Sequence, residues 1–315
     1  MRRTVDFIRR HRKVIVVSHI RPDGDAVGSV TGLTNFLKNV GIEAYPVLKH
    51  GVPTVFSFVP GANEVLTDLP EGDLYILVDA SDWERTGFDR PDAPIIRFDH
   101  HLTGERYSDH DLLDEEAPSA TSLILRFLRE WDESAIDLSV ALPLYTGLLT
   151  DTGSFKNREG TRAFEDAIYL VEKGVNPRKV AELIFREKPV KMYQLLSLAL
   201  KTLTVVEDGK VAYMVVRREF FEETGASREH SEGFVEYPLS IRGVIVAMKV
   251  EWDPEGYWKV GLRSKDGGPN VAAIAEKFGG GGHFFSAGCR IFGEEEKVIE
   301  MLLSEIRKHL YSNVT

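Results

Sequence analysis

A single cysteine, Cys289, stands in a chain of 315 residues, which excludes an intramolecular disulfide and any zinc site built on several thiolates. It is expected to act as a small buried apolar side chain. Long apolar runs are also absent. The basic start MRRTVDFIRRHRK leads only into VIVVS, far short of a signal or membrane helix, so a soluble, cytoplasmic chain is expected. Positive charge is in deficit, with a net charge of −10 at pH 7. That argues against a protein that coats long duplexes, whose affinity comes largely from phosphate neutralisation, while a small anionic substrate stays open if bound metal ions supply local positive charge. There is no internal repeat and no low-complexity tract. The GxSxG elbow, the P-loop and the GxGxxG fingerprint are all missing, which removes the common serine-nucleophile and nucleotide-fold readings.

What is present suits two globular domains, each with a real core: 43% of residues are hydrophobic and 28% charged. From residue 14 to about 150, apolar runs alternate with helical periods (VIVVS, AVGSVTGLTNFLKNV, LYILV, PIIRF, SATSLILRFLREW), which predicts α/β units around a mostly parallel sheet. Further helices are expected at about 137–149, 161–173 and 177–187, then a helical connector over 188–200. Beyond it strands come in pairs, with turns at Asp208-Gly209 and Pro254-Glu255-Gly256, and a helix closes the chain at about 294–310. The expected division is therefore a first domain over 1–187, a helical linker over 188–200 and a smaller α+β domain over 201–315.

Three of the apolar runs end in metal-capable side chains. VIVVS runs into His19, with Asp23 and Asp25 just beyond; LYILV runs into Asp79; PIIRF runs into Asp99, His100 and His101. Ligands of open α/β sheets collect beyond the carboxyl ends of the strands, so these clusters should converge although they are far apart in sequence. Asp151, in LLTDTGSF, follows an apolar helix. Taken singly, each aspartate reads as a turn former or helix N-cap and each histidine as a satisfied surface residue. Their joint placement points to a metal-dependent active site. Imidazole and carboxylate donors without thiolate suit Mn²⁺, with Mg²⁺, Co²⁺ and Zn²⁺ as alternatives. So many carboxylates call for two ions with one bridging ligand, because a single ion would leave buried charge uncompensated. Asp23 and Asp25 share a strand-to-helix turn and are expected to point to the same side of it, one for each metal. Ser154 has no base partner in sequence and reads as structural, and Ser119, Thr121 and Ser122 read as helix caps.

In this order and spacing, SHIRPDGDAVGS, VDASD, DHH and LLTDTGSF resemble the four motifs of the DHH phosphoesterase superfamily. GLRSK (Gly261–Lys265) and GGGGHFFSAG (Gly279–Gly288) resemble its DHHA1 substrate domain, so the likeness spans nearly the whole chain. The resemblance implies an N-terminal parallel-sheet DHH domain with flanking helices and a C-terminal DHHA1 domain. It implies two Mn²⁺ ions, with Mg²⁺ or Co²⁺ as alternatives: one on His19, Asp23 and Asp79, the other on Asp25, Asp79, His100 and Asp151. Asp79 would bridge them. Asp99 would orient imidazole by hydrogen bonding and His101 would face the substrate phosphate. Water activated between the ions would then attack phosphorus in line, without a covalent enzyme intermediate. In the second domain the candidate substrate contacts are Arg263, Ser264, Gly280, Gly281, Gly282 and His283. Backbone without Cβ can approach a phosphate or base closely, Arg263 can add a bidentate contact, and His283 a donor.

Members with this two-domain layout include the NrnA-like enzymes, which act on very short RNA, on 3′-phosphoadenosine 5′-phosphate (pAp), or on cyclic di-AMP and its linear product pApA. RecJ exonucleases resemble longer proteins with an added nucleic-acid-binding domain, for which this chain lacks room, and the GGGGH run argues against the DHHA2 pyrophosphatases and exopolyphosphatases. The activity implied is a Mn²⁺-dependent phosphodiesterase that releases 5′-mononucleotides from pApA and nanoRNA, with cyclic di-AMP as a further substrate. A pAp phosphatase is the alternative, and a nucleotide-sensing module, whose mark would be lost metal ligands, is the reading from another class. The implied partners are short oligoribonucleotides or di-adenosine nucleotides and a homodimer, with neither long duplex nor membrane.

Overall fold

Val14, Ile15, Val16 and Val17 are all fully buried, as befits strands covered on both faces of a parallel sheet. In the computed structural model, which describes residues 1–101, 104–156 and 161–311, they belong to β1 (Lys13–Val17). It pairs in parallel with β2 (Glu43–Val47) on one side and β3 (Leu74–Val78) on the other, followed by β4 (Ile95–Asp99) and the short β5 (Leu112–Leu113). The order is β2-β1-β3-β4-β5. Alternate residues serve two cores. Val14, Val16, Leu74, Ile76, Ile96 and Phe98 join the larger one, while Ile15, Val17, Tyr75, Leu77 and Ile95 pack around Trp83 on the opposite face. Strand β2 escapes a pattern-based reading because it carries Pro46. Its place at the sheet edge is where a residue without an N–H is tolerated.

The helices of this unit are α1 (Arg2–Ile8), α2 (Gly24–Asn39), α3 (Ala120–Asp132), α4 (Leu138–Asp151), α5 (Arg162–Glu172) and α6 (Pro177–Phe185). Asp23, Ser119, Asp137 and Asn176 cap α2, α3, α4 and α6 through side-chain oxygens. Helices α2 and α4 meet backbone to backbone. Gly24, Gly28 and Gly32 recur every four residues on one face of α2, and a Cβ at Gly28 would collide with the carbonyl oxygen of Pro143. Pro143 lies inside α4 and cannot bond the Ser139 carbonyl. Asn35 of α2 fills that place, donating its side-chain N–H to Ser139 O at 2.8 Å. This close approach carries the ends of both helices toward the sheet's carboxyl edge.

The second compact unit runs over Lys188–Thr315, the first over Met1–Glu187. Helix α7 (Val190–Lys201) lies within the second unit: Leu195, Leu196 and Ala199 pack with Met214, Val216 and Phe234. The sheet contains β6 (Thr204–Val206), β7 (Val211–Val216), β8 (Val246–Trp252), β9 (Trp258–Ser264), β10 (Gly281–His283) and β11 (Ser286–Ile291), in the order β10-β11-β9-β8-β7-β6. Only β7 and β8 run parallel. The paired strands around Asp208-Gly209 and Pro254-Glu255-Gly256 are antiparallel hairpins as the turn residues require. Val211, Val246, Met248, Val260 and Leu262 meet the C-terminal helix Glu295–Tyr311 through Val298, Leu302 and Ile306.

Candidate metal centre

The carboxyl ends of β1, β3 and β4 lie side by side, and the polar residues that follow them meet there. Among the described residues, donor atoms of His19, Asp23 and Asp79 lie within 4.8 Å of one another, as do those of Asp25, His100 and Asp151. A third such group joins Asp79, Asp99, His100 and His101. Asp79 occupies the left-handed region at φ 50 directly after β3. Such backbone costs a non-glycine residue on the order of 1–3 kcal/mol and persists where surroundings enforce it, commonly at functional sites. Its Oδ2 lies 3.6 Å from His19 Nε2, and its Oδ1 lies 3.7 Å from His100 Nε2. His100 Nε2 is also 3.9 Å from Asp25 and 3.8 Å from Asp151, the last residue of α4.

Each side chain is set by local structure. Asp23 caps α2, accepting on Oδ1 from the amides of Asp25 and Ala26, both at 3.1 Å. Asp25 turns instead toward α3 and is 1% exposed. Its Oδ2 accepts from Ala120 N at 2.7 Å, and its Oδ1 from Thr121 N at 3.0 Å and from the Thr121 hydroxyl at 2.7 Å. These are first-turn amides that the helix itself leaves without partners. The two aspartates of PDGDAVGS therefore serve different donor groups. His19 and His100 are oriented by backbone carbonyls, Nδ1 of His19 on Ile20 O at 2.9 Å and Nδ1 of His100 on Ala117 O at 3.4 Å.

Asp99 has another role. It is fully buried, accepts from His101 Nδ1 at 2.7 Å and from the His100 amide at 2.8 Å on Oδ1, and pairs through Oδ2 with Arg97, whose Nε lies 3.1 Å away. Burial pushes its carboxyl up, but His101 and Arg97 outweigh burial and hold it down at about 2. Asp99 is thus a fixed anion behind His101. Arg97 is 1% exposed and also donates to the carbonyls of Ala80 at 2.9 Å and Glu105 at 3.1 Å. Neither Arg97 nor Thr121 stood out in sequence as part of the centre, although an arginine inside the apolar run PIIRF was a signal that a buried anion lies nearby.

Asp79 and Asp25 face the opposite balance. Burial, followed by repulsion from Asp25, Asp23, Asp99 and Asp151, drives the Asp79 carboxyl well above the usual range. Burial also raises Asp25, with Asp23 adding to it and His100 and Thr121 opposing. A cluster of this kind is relieved by cations. The donors are imidazole nitrogens and carboxylate oxygens, so the chemistry of the site fits hard to borderline divalent ions.

In the second unit, strand alternation separates two residues expected together. Arg263 keeps its guanidinium 3.5 Å from Glu236, whereas Ser264 is 6% exposed and its hydroxyl donates to Lys265 O at 3.3 Å. Part of the glycine run is strand. Gly281 and Gly282 belong to β10, opposite Gly288 and Ala287 of β11, and only Gly279 (φ 70) and Gly282 (φ 149) adopt positive φ. A Cβ at Gly280 or Gly282 would collide with β11 backbone at Gly288 O or Ser286 O. These two glycines let the strands close. Cys289 is buried at 5% exposure, and burial pushes its thiol up to about 11. Ser119 caps α3 as expected, accepting from Ser122 N at 3.0 Å.

A parallel α/β sheet with a histidine–aspartate centre at its carboxyl edge, joined in one chain to a mixed-sheet domain, defines a phosphoesterase of the DHH type. Residues 13–148 match the DHH family N-terminal domain and residues 208–311 match the DHHA1 domain. The chain is 31% identical over 304 residues to the bifunctional oligoribonuclease and PAP phosphatase NrnA of Thermus thermophilus, covering 94% of this chain and 90% of that protein. It is 24% identical to the cyclic-di-AMP phosphodiesterase GdpP of Geobacillus thermodenitrificans, of which it spans 46%. A crystal structure of an exopolyphosphatase-related protein from Bacteroides fragilis superposes with a TM-score of 0.91 at 25% identity, covering 100% of this chain and 98% of that one. This chain belongs to the DHH family of phosphoesterases with a DHHA1 domain, and it is a hydrolase.

Proposed function

We propose that this chain is a two-metal phosphodiesterase that releases 5′-mononucleotides from short 5′-phosphorylated oligonucleotides such as pApA and nanoRNA, with cyclic di-AMP as a poorer substrate. The observation that carries the reading is Asp79, whose Oδ2 faces His19 and whose Oδ1 faces His100, so that one carboxylate can serve two ions. His19, Asp23 and Asp79 are assigned to one Mn²⁺ and Asp25, Asp79, His100 and Asp151 to the other, with Mg²⁺ or Co²⁺ as alternatives. When bound, such ions neutralise phosphoryl charge and make water a competent nucleophile near neutral pH.

The chain's own residues supply the rest. Asp99, kept ionised by His101 and Arg97, accepts from His101 Nδ1 and so fixes the ring that we assign to the phosphoryl group. Arg263, His283 and the backbone at Gly280, Gly281 and Gly282 are assigned to the substrate nucleotide, with Ser264 withdrawn from that set. The NrnA and GdpP names of the relatives support the substrate class. No helix among the described residues is long and apolar enough to cross a membrane, and a cytoplasmic location is part of the proposal. The second activity named for the Thermus relative supports pAp phosphatase as the alternative. Product analysis with Mn²⁺ separates them: AMP as the sole product of pApA supports the diesterase, and inorganic phosphate from pAp at a higher kcat/KM than pApA cleavage would favour the phosphatase.

A further inference from the structure

The turn joining β10 to β11 is two residues long, Phe284 and Phe285, between the paired His283 and Ser286. Two-residue hairpin turns strongly favour Asn-Gly, Asp-Gly or Gly-X, because the turn types that match strand twist need positive φ. Here both positions hold bulky aromatics, and neither has positive φ. Burial compensates only in part. Phe284 is 48% and Phe285 45% exposed, and the rings touch each other edge to face with centroids 4.7 Å apart. The backbone beneath them is fixed: Val271 N donates to Phe284 O at 2.9 Å and Ser264 N donates to Phe285 O at 3.0 Å. The tip is therefore held through its backbone while about half of each phenylalanine stays open to solvent, and a local turn rule broken at so exposed a position points to function.

The neighbours indicate the ligand. His283 immediately precedes the rings, and Arg263 lies opposite Ser286, the residue that follows them. Half-exposed aromatic rings next in sequence to a histidine, and one residue from the cross-strand partner of an arginine, suit a ligand that is planar and apolar at one end and anionic at the other. We propose that Phe284 and Phe285 form a stacking platform for a base of the bound nucleotide, so that this hairpin tip recognises the presence of a base while tolerating its identity. The proposal rests on the reading of the second unit as the nucleotide-binding part.

The test is a cycle that removes ring and base separately. On the Mn²⁺-loaded full chain, KM and kcat for pApA, and Kd in chelator where no turnover occurs, are compared with the same values for an analogue of pApA lacking its second base. Phe284→Ala/Phe285→Ala is expected to raise KM and Kd for pApA roughly tenfold, with kcat and metal content near wild type and little change for the abasic analogue. Phe284→Trp/Phe285→Trp should restore tight binding. Equal losses for both ligands, unchanged pApA affinity, or a changed oligomeric state with unchanged affinity would overturn the platform. Failure of the wild-type chain to cleave pApA would contradict the proposed function instead, and the Kd comparison would still decide the platform.

Discussion

Thr121 gives Asp25 both its amide and its hydroxyl, at 3.0 and 2.7 Å, on the same carboxylate oxygen. The first turn of α3 thereby positions a residue almost a hundred positions earlier in the chain, and an anion at a helix N-terminus is favourably placed. Thr121→Val keeps the shape and removes the hydroxyl. Because partners behind metal ligands commonly contribute 10–100-fold to affinity or activity, Mn²⁺ affinity or kcat should fall by about that factor, with Tm in chelator shifted little. Metal titration followed by steady-state kinetics checks it.

Asp79→Asn should abolish turnover and weaken both metal sites together. Its effect on stability should change sign with metal. In chelator the variant should melt at or above wild type, since a buried carboxylate repelled by four others has been neutralised. With saturating Mn²⁺ the wild type should melt higher, because each ion at 100 times its Kd adds about 2.7 kcal/mol. Thermal melts of both proteins in both buffers read the crossover.

Gly28→Ala places a methyl group against the Pro143 carbonyl, where two helices touch through backbone. Overpacking of this kind costs about 1–3 kcal/mol, and the displaced ends of α2 and α4 carry Asp25 and Asp151. Both Tm and metal affinity should fall. A change at Gly41, where a Cβ meets nothing within 4 Å, would strain only its own turn and should leave metal affinity unchanged.

Acid stability should depend on Glu251. It is 1% exposed, and although burial raises its carboxyl, Lys249 at 2.5 Å and Ser231 hold it below the ordinary 4.5. A depressed carboxyl stabilises the fold above its unfolded value, and that contribution is lost as pH falls through the folded value. Wild-type Tm should therefore drop below about pH 4.5. Glu251→Gln leaves Lys249 buried without its anion and should cost about 3–5 kcal/mol at pH 7, with a flatter acid profile. Melts between pH 3 and 7 test both statements.

Much of this architecture is legible in sequence because the physics is local. Continuous apolar runs such as LYILV announce doubly covered strands, Asp208-Gly209 announces a hairpin, and His19 and Asp79 follow, while Asp99 ends, strands that a parallel sheet must align. What escapes is set by distant partners. Strand β2 hides behind Pro46, acceptable only because it forms the edge. Arg97 and Thr121 matter through Asp99 and Asp25, contacts that no spacing reveals. Ser264 and Arg263 are neighbours in GLRSK yet face opposite ways, a consequence of strand alternation once β9 is known. The glycine run reads as backbone free to approach a ligand, but two of its residues lie in β10, a pairing that depends on Gly288 and Ala287.

The central claim is that one bridging centre cuts short 5′-phosphorylated substrates. It is tested most directly by kcat/KM values measured side by side for pApA, cyclic di-AMP, a tetramer and a twenty-mer, with Mn²⁺ and with chelator. The net charge of −10 disfavours binding a long polymer through its phosphates, so pApA should be cut fastest, cyclic di-AMP more slowly and the tetramer more slowly than the dimer. The twenty-mer should be barely cut, and all cleavage should vanish in chelator. Processive degradation of the twenty-mer at the rate of the dimer, or undiminished cleavage in chelator, would contradict the account.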